Sequence, residues 1–316
     1  MGGGGPVTLA GPVRPAIAGA ASPGSESTTP VRAGRRPSLA WLGLTPFAAY
    51  VLLFLALPTV LAVGSGFFDK NGTFTLDNLT ALGEPAIVQT FINSFVLSSV
   101  TALVGAVAGA LACYAMLGLP ESGFVRTTVD AASGVLAQFG GVMLAFMWIA
   151  TIGLQGVFTR FLRDALGIDI FADGAWIYEL PGLILPYLTF QIPLMVITFF
   201  PAFTGLRPQW VEANETLGGT RGGFWLHIGI PVLTPAFLAS LLLLFANAFS
   251  SFATAAALVS QGSFIVPLQI QSALVSETVL GRDNLAGVLA LGMIAVIAVV
   301  MWAYSLVQRR AQRWQA

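Results

Sequence analysis

Six stretches of this chain run for more than twenty residues with almost no charge. They lie near Leu39–Gly66, Gln89–Leu117, Thr128–Ile152, Gly182–Phe203, Val232–Val259 and Leu285–Val307. A helix needs about 20 apolar residues to cross the hydrocarbon core of a bilayer. It is also the one non-barrel structure that satisfies every backbone polar group there. The pattern predicts an all-α polytopic membrane protein with six transmembrane helices. Composition agrees: 56% of the 316 residues are hydrophobic and 9% are charged, where soluble domains carry about 25% charge. A finite soluble fold has too little interior to hide that much apolar surface.

The 14 basic and 14 acidic residues cancel, so no nucleic-acid partner is expected. One Cys, Cys113, permits no intrachain disulfide, and one His, His227, leaves too few ligands for a zinc site. No catalytic residue, cofactor or metal is expected. Residues 1–38 are rich in Gly, Pro, Ser and Ala and are expected to form a disordered tail. They lack the ordered basic, apolar and cleavage regions of a removable signal. The six-span membrane core is expected over 39–310, with 311–316 as a short C-terminal end.

Six spans place both termini on one side. With that side in the cytoplasm, the inside carries Arg14, Arg32, Arg35, Arg36, Arg126, Arg207, Arg221, Arg309, Arg310 and Arg313, ten bases in all. The outside keeps four: Lys70, Arg160, Arg163 and Arg282. Basic residues favour the cytoplasmic side, which predicts both termini inside. Pro58, Pro186 and Pro193 fall in or near spans and are expected to kink them. The third span is interrupted by Ser133, Gln138, Gly140 and Gly141. Asp130, at its start, could relay protons or pair with Arg126 one turn earlier. Gly105 and Gly109, four residues apart in the second span, either mark a close helix approach or belong to a span rich in Ala and Gly.

The third cytoplasmic loop, 206–231, reads LRPQWVEANETLGGTRGGFWLHIGIP. Pro208 suits the first turn of a helix. Trp210, Ala213 and Leu217 recur at helical spacing, and Glu212 and Glu215 are expected near the helix start. Gly218 and Gly219 should stop the helix. A second short helix is expected from Thr220, ending before Pro231.

The loop resembles the EAA loop of binding-protein-dependent ABC importer permeases. That pattern is E-A-A, three residues, Gly, nine residues, then I-x-L-P. Here it reads Glu212, Ala213, Asn214, then Gly218, then Ile228, Gly229, Ile230 and Pro231, with Asn214, Gly219 and Ile230 as departures. The resemblance implies a type I ABC importer permease fold, a bacterial plasma-membrane location, and a loop that couples to ATPase subunits through Glu212, Ala213, Asn214, Leu217, Gly218, Ile228 and Pro231. It also implies a second permease subunit, identical or homologous, and an extracytoplasmic solute-binding protein. The ATPase would be another chain, because the sole Lys, Lys70, does not sit in a phosphate-binding loop. Thr216-Leu217-Gly218 resembles permeases for polyamines, phosphonates, iron(III), thiamine and similar small solutes, and the segment from Ser260 to Ser272 resembles the polyamine type; sugar permeases or another solute class are the alternative within the family.

A translocation path is expected along Asn247, Ser250, Ser251 and Thr254, which recur at helical spacing in the fifth span, and along Tyr187 and Gln191 in the fourth. Hydrogen bonding between helices would explain the same residues. A rival of another class is a secondary transporter driven by an ion gradient, which needs embedded ionisable groups or paired broken helices.

Overall fold

The computed structural model describes residues 40–68, 72–120, 122–259, 265–275 and 284–312. The expected tail at 1–38, Lys70 and the stretch 260–264 lie outside the described residues. The chain divides into two compact units, 1–50 and 51–316. Of the first, only residues 40–50 are described; they belong to helix α1, Ala40–Val51.

The second unit contains α2 (Leu57–Ser65), α3 (Pro85–Met116), α4 (Phe124–Leu136), α5 (Val142–Ile152), α6 (Val157–Leu166), α7 (Ile184–Thr204), α8 (Pro208–Thr216), α9 (Arg221–Phe224), α10 (Ile230–Phe249), α11 (Ala253–Leu258), α12 (Val266–Val275) and α13 (Leu285–Gln312). The described residues hold no strand, only an isolated bridge between Phe68 and Phe74. Six helical stretches are long and apolar enough to cross a membrane: Leu44–Ser65, Pro85–Met116, Val142–Leu166, Leu180–Thr204, Arg221–Phe249 and Leu285–Leu306. The chain is a multi-pass membrane protein.

Two spans depart from the expected boundaries. The third, expected as one helix from Thr128 to Ile152, is two: α4 ends at Leu136 and α5 starts at Val142. Between them Gly141 takes φ +77°, a conformation that side chains with a Cβ disfavour. The fifth, expected to run to Val259, stops at Phe249 and resumes as α11 at Ala253. Ser250 turns its hydroxyl back on the Ala246 carbonyl at 3.0 Å, a bond that competes with the helical ladder.

Two prolines are absorbed without a break. A π-helical turn at Leu52–Ala56 precedes Pro58, and another at Trp225–Gly229 precedes Pro231. The wider turn closes through bonds from Leu57 N to the Leu52 carbonyl and from Ile230 N to the Trp225 carbonyl. Proline lacks an N–H and crowds the carbonyl four residues earlier, and one π turn relieves that mismatch.

α7 is the central helix; half of its apolar window is buried. Its Tyr187 and Phe190 enter one cluster with Leu97, Leu144, Ala248 and Leu258. Its Met195, Phe199 and Phe203 enter a second with Ala106, Cys113, Leu244 and Phe249. α3 approaches it closely at the two glycines four residues apart. A Cβ on Gly105 would lie 2.9 Å from Cβ of Gln191, and one on Gly109 would lie 2.5 Å from Cβ of Met195 and 2.9 Å from the Ile192 carbonyl. The Gly105–Gly109 spacing is therefore a packing seam, where small residues let backbones meet.

Candidate functional site

The loop between the fourth and fifth spans forms a helical hairpin. Pro208 opens α8 after Arg207, as its fixed φ favours. Described side chains of α8 are exposed except Asn214, which is half-buried, and Leu217 beyond its end is 87% exposed. An exposed leucine of that degree beside half-exposed Trp210 and Val211 makes an apolar tip on a polar helix. The expectation that Glu212 and Glu215 sit at the helix start fails: α8 has no acidic residue in its first turn, and Glu215 is next to last. The helix starts at Pro208, four residues before Glu212, so the dipole argument does not apply to either.

The helix ends in a Schellman cap. Gly218 takes φ +77°. Its N–H donates to the Glu215 carbonyl at 3.0 Å, and Gly219 N–H donates to the Asn214 carbonyl at 2.8 Å. These two bonds satisfy carbonyls that the helix end leaves open. The Asn214 side chain then crosses the turn: Nδ2 donates to the Thr220 carbonyl at 3.3 Å. It lies where a side chain on Gly219 would go, since a Cβ there would meet Cγ at 2.6 Å and Nδ2 at 2.7 Å. Thr220 caps the next helix, accepting from Gly223 N–H at 3.1 Å.

Beyond Thr220 the chain was expected to form a short helix ending before Pro231. It instead runs unbroken through α9 and the π turn into the fifth span. Ile228 sits in the π turn, and Pro231 is in the first turn of α10. An aromatic cluster that the sequence reading did not single out roots the hairpin. Trp225 meets Tyr114 of α3 edge-on at 5.2 Å and Phe203 of α7 at 6.2 Å, with Phe224 at 5.8 Å. Gly229 makes room for the Trp225 ring, which a Cβ would approach to 2.6 Å. Only the recurrence of aromatics beside the glycines hints at this in the sequence. Below α8 a cleft of about 620 Å³ opens between Tyr114, Leu117, Val211, Glu215, Arg221 and Trp225.

The residues expected along a path separate. Asn247 is exposed on α10 and Ser251 is half-buried in the break. Gln191 is fully buried, its Nε2 donating to Thr101 Oγ1 at 3.1 Å and its Oε1 without a partner. Thr254 is 1% exposed, and its hydroxyl accepts from Gly141 N–H at 2.8 Å. The expected single stripe is corrected: α10 ends before Ser250, so Thr254 belongs to another helix and ties the break in the fifth span to the break in the third. Tyr187, wholly buried, donates to the Ser251 carbonyl at 2.9 Å. Asp130 is exposed on α4, and the guanidinium carbon of Arg126 lies 4.9 Å over the Phe200 ring.

No protein-family model matches the chain. It is 28% identical over 219 residues to the ferric transport system permease protein FbpB of Actinobacillus pleuropneumoniae, covering 68% of this chain and 30% of that one. The match thus spans less than a third of that relative's length. It is 24% identical to the spermidine/putrescine transport system permease protein PotB of Escherichia coli, over 66% of this chain and 77% of PotB. The trehalose transport system permease protein SugB of Mycobacterium tuberculosis is also 24% identical, over 75% and 79%. Among solved structures, a chain of a bacterial alginate ABC transporter in complex with an alginate pentasaccharide-bound periplasmic protein superposes with a TM-score of 0.70 at 17% identity, covering 86% of this chain and 94% of that chain. A chain of the MetNI methionine ABC transporter gives 0.51 at 13%, covering 72% and 96%. In sequence and in fold, this chain is a homologue of the permease subunits of ABC importers.

Proposed function

We propose that this chain forms half of the transmembrane path of an ATP-driven solute importer in the bacterial plasma membrane. It works with two ATPase subunits, a second permease and an extracytoplasmic solute-binding protein. The observation that carries the reading is the α8 hairpin: exposed along its length, capped by two glycines, and continuous with the fifth span. Such an element suits a groove in a partner, where closing of the partner would push on the span. The coupling residues are then Glu212, Ala213, Asn214, Leu217, Gly218, Ile228 and Pro231. Both termini face the cytoplasm, the side to which the hairpin belongs. The reading has support in relatives whose names describe transport permeases, and in the periplasmic protein bound to the alginate transporter.

The test is Leu217→Asp in the complex reconstituted with its ATPase. The Leu217 side chain is 87% exposed, so its replacement should leave the chain able to insert and fold. Solute-stimulated ATP hydrolysis should fall to the unstimulated rate; unchanged stimulation refutes the docking role.

Asn247 and Ser251 are the path residues the reading retains; Gln191 and Thr254 act in packing. With Cys113→Ala as background, a water-soluble thiol reagent should label Asn247→Cys differently in nucleotide-free and ATP-trapped complexes. For the solute, the sequence around Thr216 and after Ser260 favours a polyamine-like cation. Uptake of spermidine, ferric ion and trehalose compared side by side decides among the solutes named for the relatives.

A further inference from the structure

We propose that α6 is an interfacial helix that lies flat in the membrane surface, its apolar face in the lipid and its arginines in the headgroup layer. The inference rests on the third span alone and is independent of the coupling reading.

α6 is cleanly divided. At 100° per residue, Val157, Phe158, Phe161, Leu162, Ala165 and Leu166 fall on one side, and Thr159, Arg160, Arg163 and Asp164 fall on the other. The apolar side is bare: Val157 is 77% exposed, Phe161 58% and Leu166 60%. Val142–Leu166 is long and apolar enough to cross by length and composition, but it breaks at 153–156 and its last ten residues carry two arginines and an aspartate, which are expensive in hydrocarbon; the third crossing is α4 with α5, and α6 stands outside it. An apolar face of that breadth is equally unfavourable in water. Lying flat at the boundary satisfies both faces, and the helical backbone meets its own hydrogen-bonding needs.

The apolar face continues a surface that the membrane already covers. Met143 and Phe146 of α5 are 69% and 57% exposed, and Leu154 and Val157 extend that strip across the turn into α6. The turn is rigid. Gly153 N–H donates to the Ile149 carbonyl and Gly156 N–H to the Gly153 carbonyl, both at 2.8 Å. Thr159, 1% exposed, donates its hydroxyl to the Ile152 carbonyl at 3.0 Å. The attitude of α6 to α5 is thereby set. The polar side is organised away from the apolar one: Arg160 donates to Gln155 Oε1 at 3.0 Å, and Arg163 pairs with Asp169 at 3.3 Å. Trp176 and Tyr178 follow in the same loop, residue types that favour the membrane boundary.

Arg160 and Arg163 are balanced by Asp164 and Asp169. Lipid charge therefore contributes little, and the apolar face supplies the attraction. The occupant is a phosphatidylcholine-like surface as readily as an anionic one.

The experiment uses the full chain carrying Cys113→Ala, with single spin labels at Phe161→Cys and Arg163→Cys, which lie on opposite sides of the helix, in phosphatidylcholine vesicles and in vesicles with one-third phosphatidylglycerol. The label at 161 should collide several-fold more with oxygen, which concentrates in lipid, than with a water-soluble nickel chelate. The label at 163 should show the reverse. Both ratios should be the same in the two vesicle types. Val157→Cys repeats the apolar-face measurement should Phe161→Cys insert poorly. Nickel-dominated collisions at 157 and 161 would place the helix in water and overturn the proposal. Shielding of both positions from both reagents, in the free chain or on adding its partner subunits, would make this face a protein interface and overturn it equally.

Discussion

The Asn214–Gly219 pair predicts an effect whose sign depends on its partner. An alanine at 219 would meet the Asn214 carboxamide, whose Cγ and Nδ2 lie 2.6 and 2.7 Å from the new Cβ. Asn214 must then swing out and release the Thr220 carbonyl. A lost hydrogen bond costs about 1 kcal/mol, and an off-rotamer side chain about another 1 kcal/mol. Restricting the unfolded glycine returns about 0.5 kcal/mol. Gly219→Ala alone should therefore weaken the hairpin by about 1.5 kcal/mol, close to tenfold in its opening equilibrium. With Asn214→Ala already in place the obstruction is gone, and Gly219→Ala should be neutral or stabilise by about 0.5 kcal/mol. Amide exchange of the peptide spanning 212–224, in the reconstituted full chain, measures both. Protection should fall about tenfold in Gly219→Ala and recover in the double variant, a coupling that a double-mutant cycle isolates. An equal loss of protection from Gly219→Ala in both backgrounds would refute the steric argument.

Gly218→Val should be worse than Gly219→Ala, because φ +77° is strained for a β-branched residue by about 1–3 kcal/mol. The complex should still assemble while solute-stimulated ATP hydrolysis is lost, and Gly218→Asn should retain it. Gly109→Leu forces a side chain into Met195 and the Ile192 carbonyl and should lower thermal stability in detergent by about 1–3 kcal/mol or more. Its control, Gly134→Ala on α4, meets no atom within 4 Å and should be neutral or slightly stabilising. The Phe171 N–H, then the Arg163 side chain, holds the Asp169 carboxyl below its usual range. Its contribution to loop order is therefore present at neutral pH and lost as pH falls through that lowered value. Exchange protection at 167–176, corrected for intrinsic rates, should drop with acid in the parent chain and stay flat in Asp169→Asn.

The six crossings, and the approximate ends of most of them, are legible in the sequence because length and apolarity alone decide whether a helix can span a bilayer. The loop helix is legible as well: Pro208 fixes its own φ and Gly218 accepts the positive φ of the cap, so local chemistry announces where α8 starts and stops. The interruption of the third crossing is visible in Ser133, Gln138, Gly140 and Gly141, though not that it ends one helix and starts another, and the break in the fifth is not visible at all. Glycines and serines in an apolar run permit a break, but the decision falls to distant partners, Thr254 on Gly141 and Tyr187 on Ser251. For the same reason the polar residues read as one stripe separate into exposed Asn247 and buried Gln191 and Thr254. Periodicity measures which residues share a helix face only while the helix continues, and says nothing of what that face meets. The significance of Asn214 and Gly219 likewise emerges only in three dimensions. In the sequence each is a separate departure from the family pattern, and the structure shows one filling the space the other leaves.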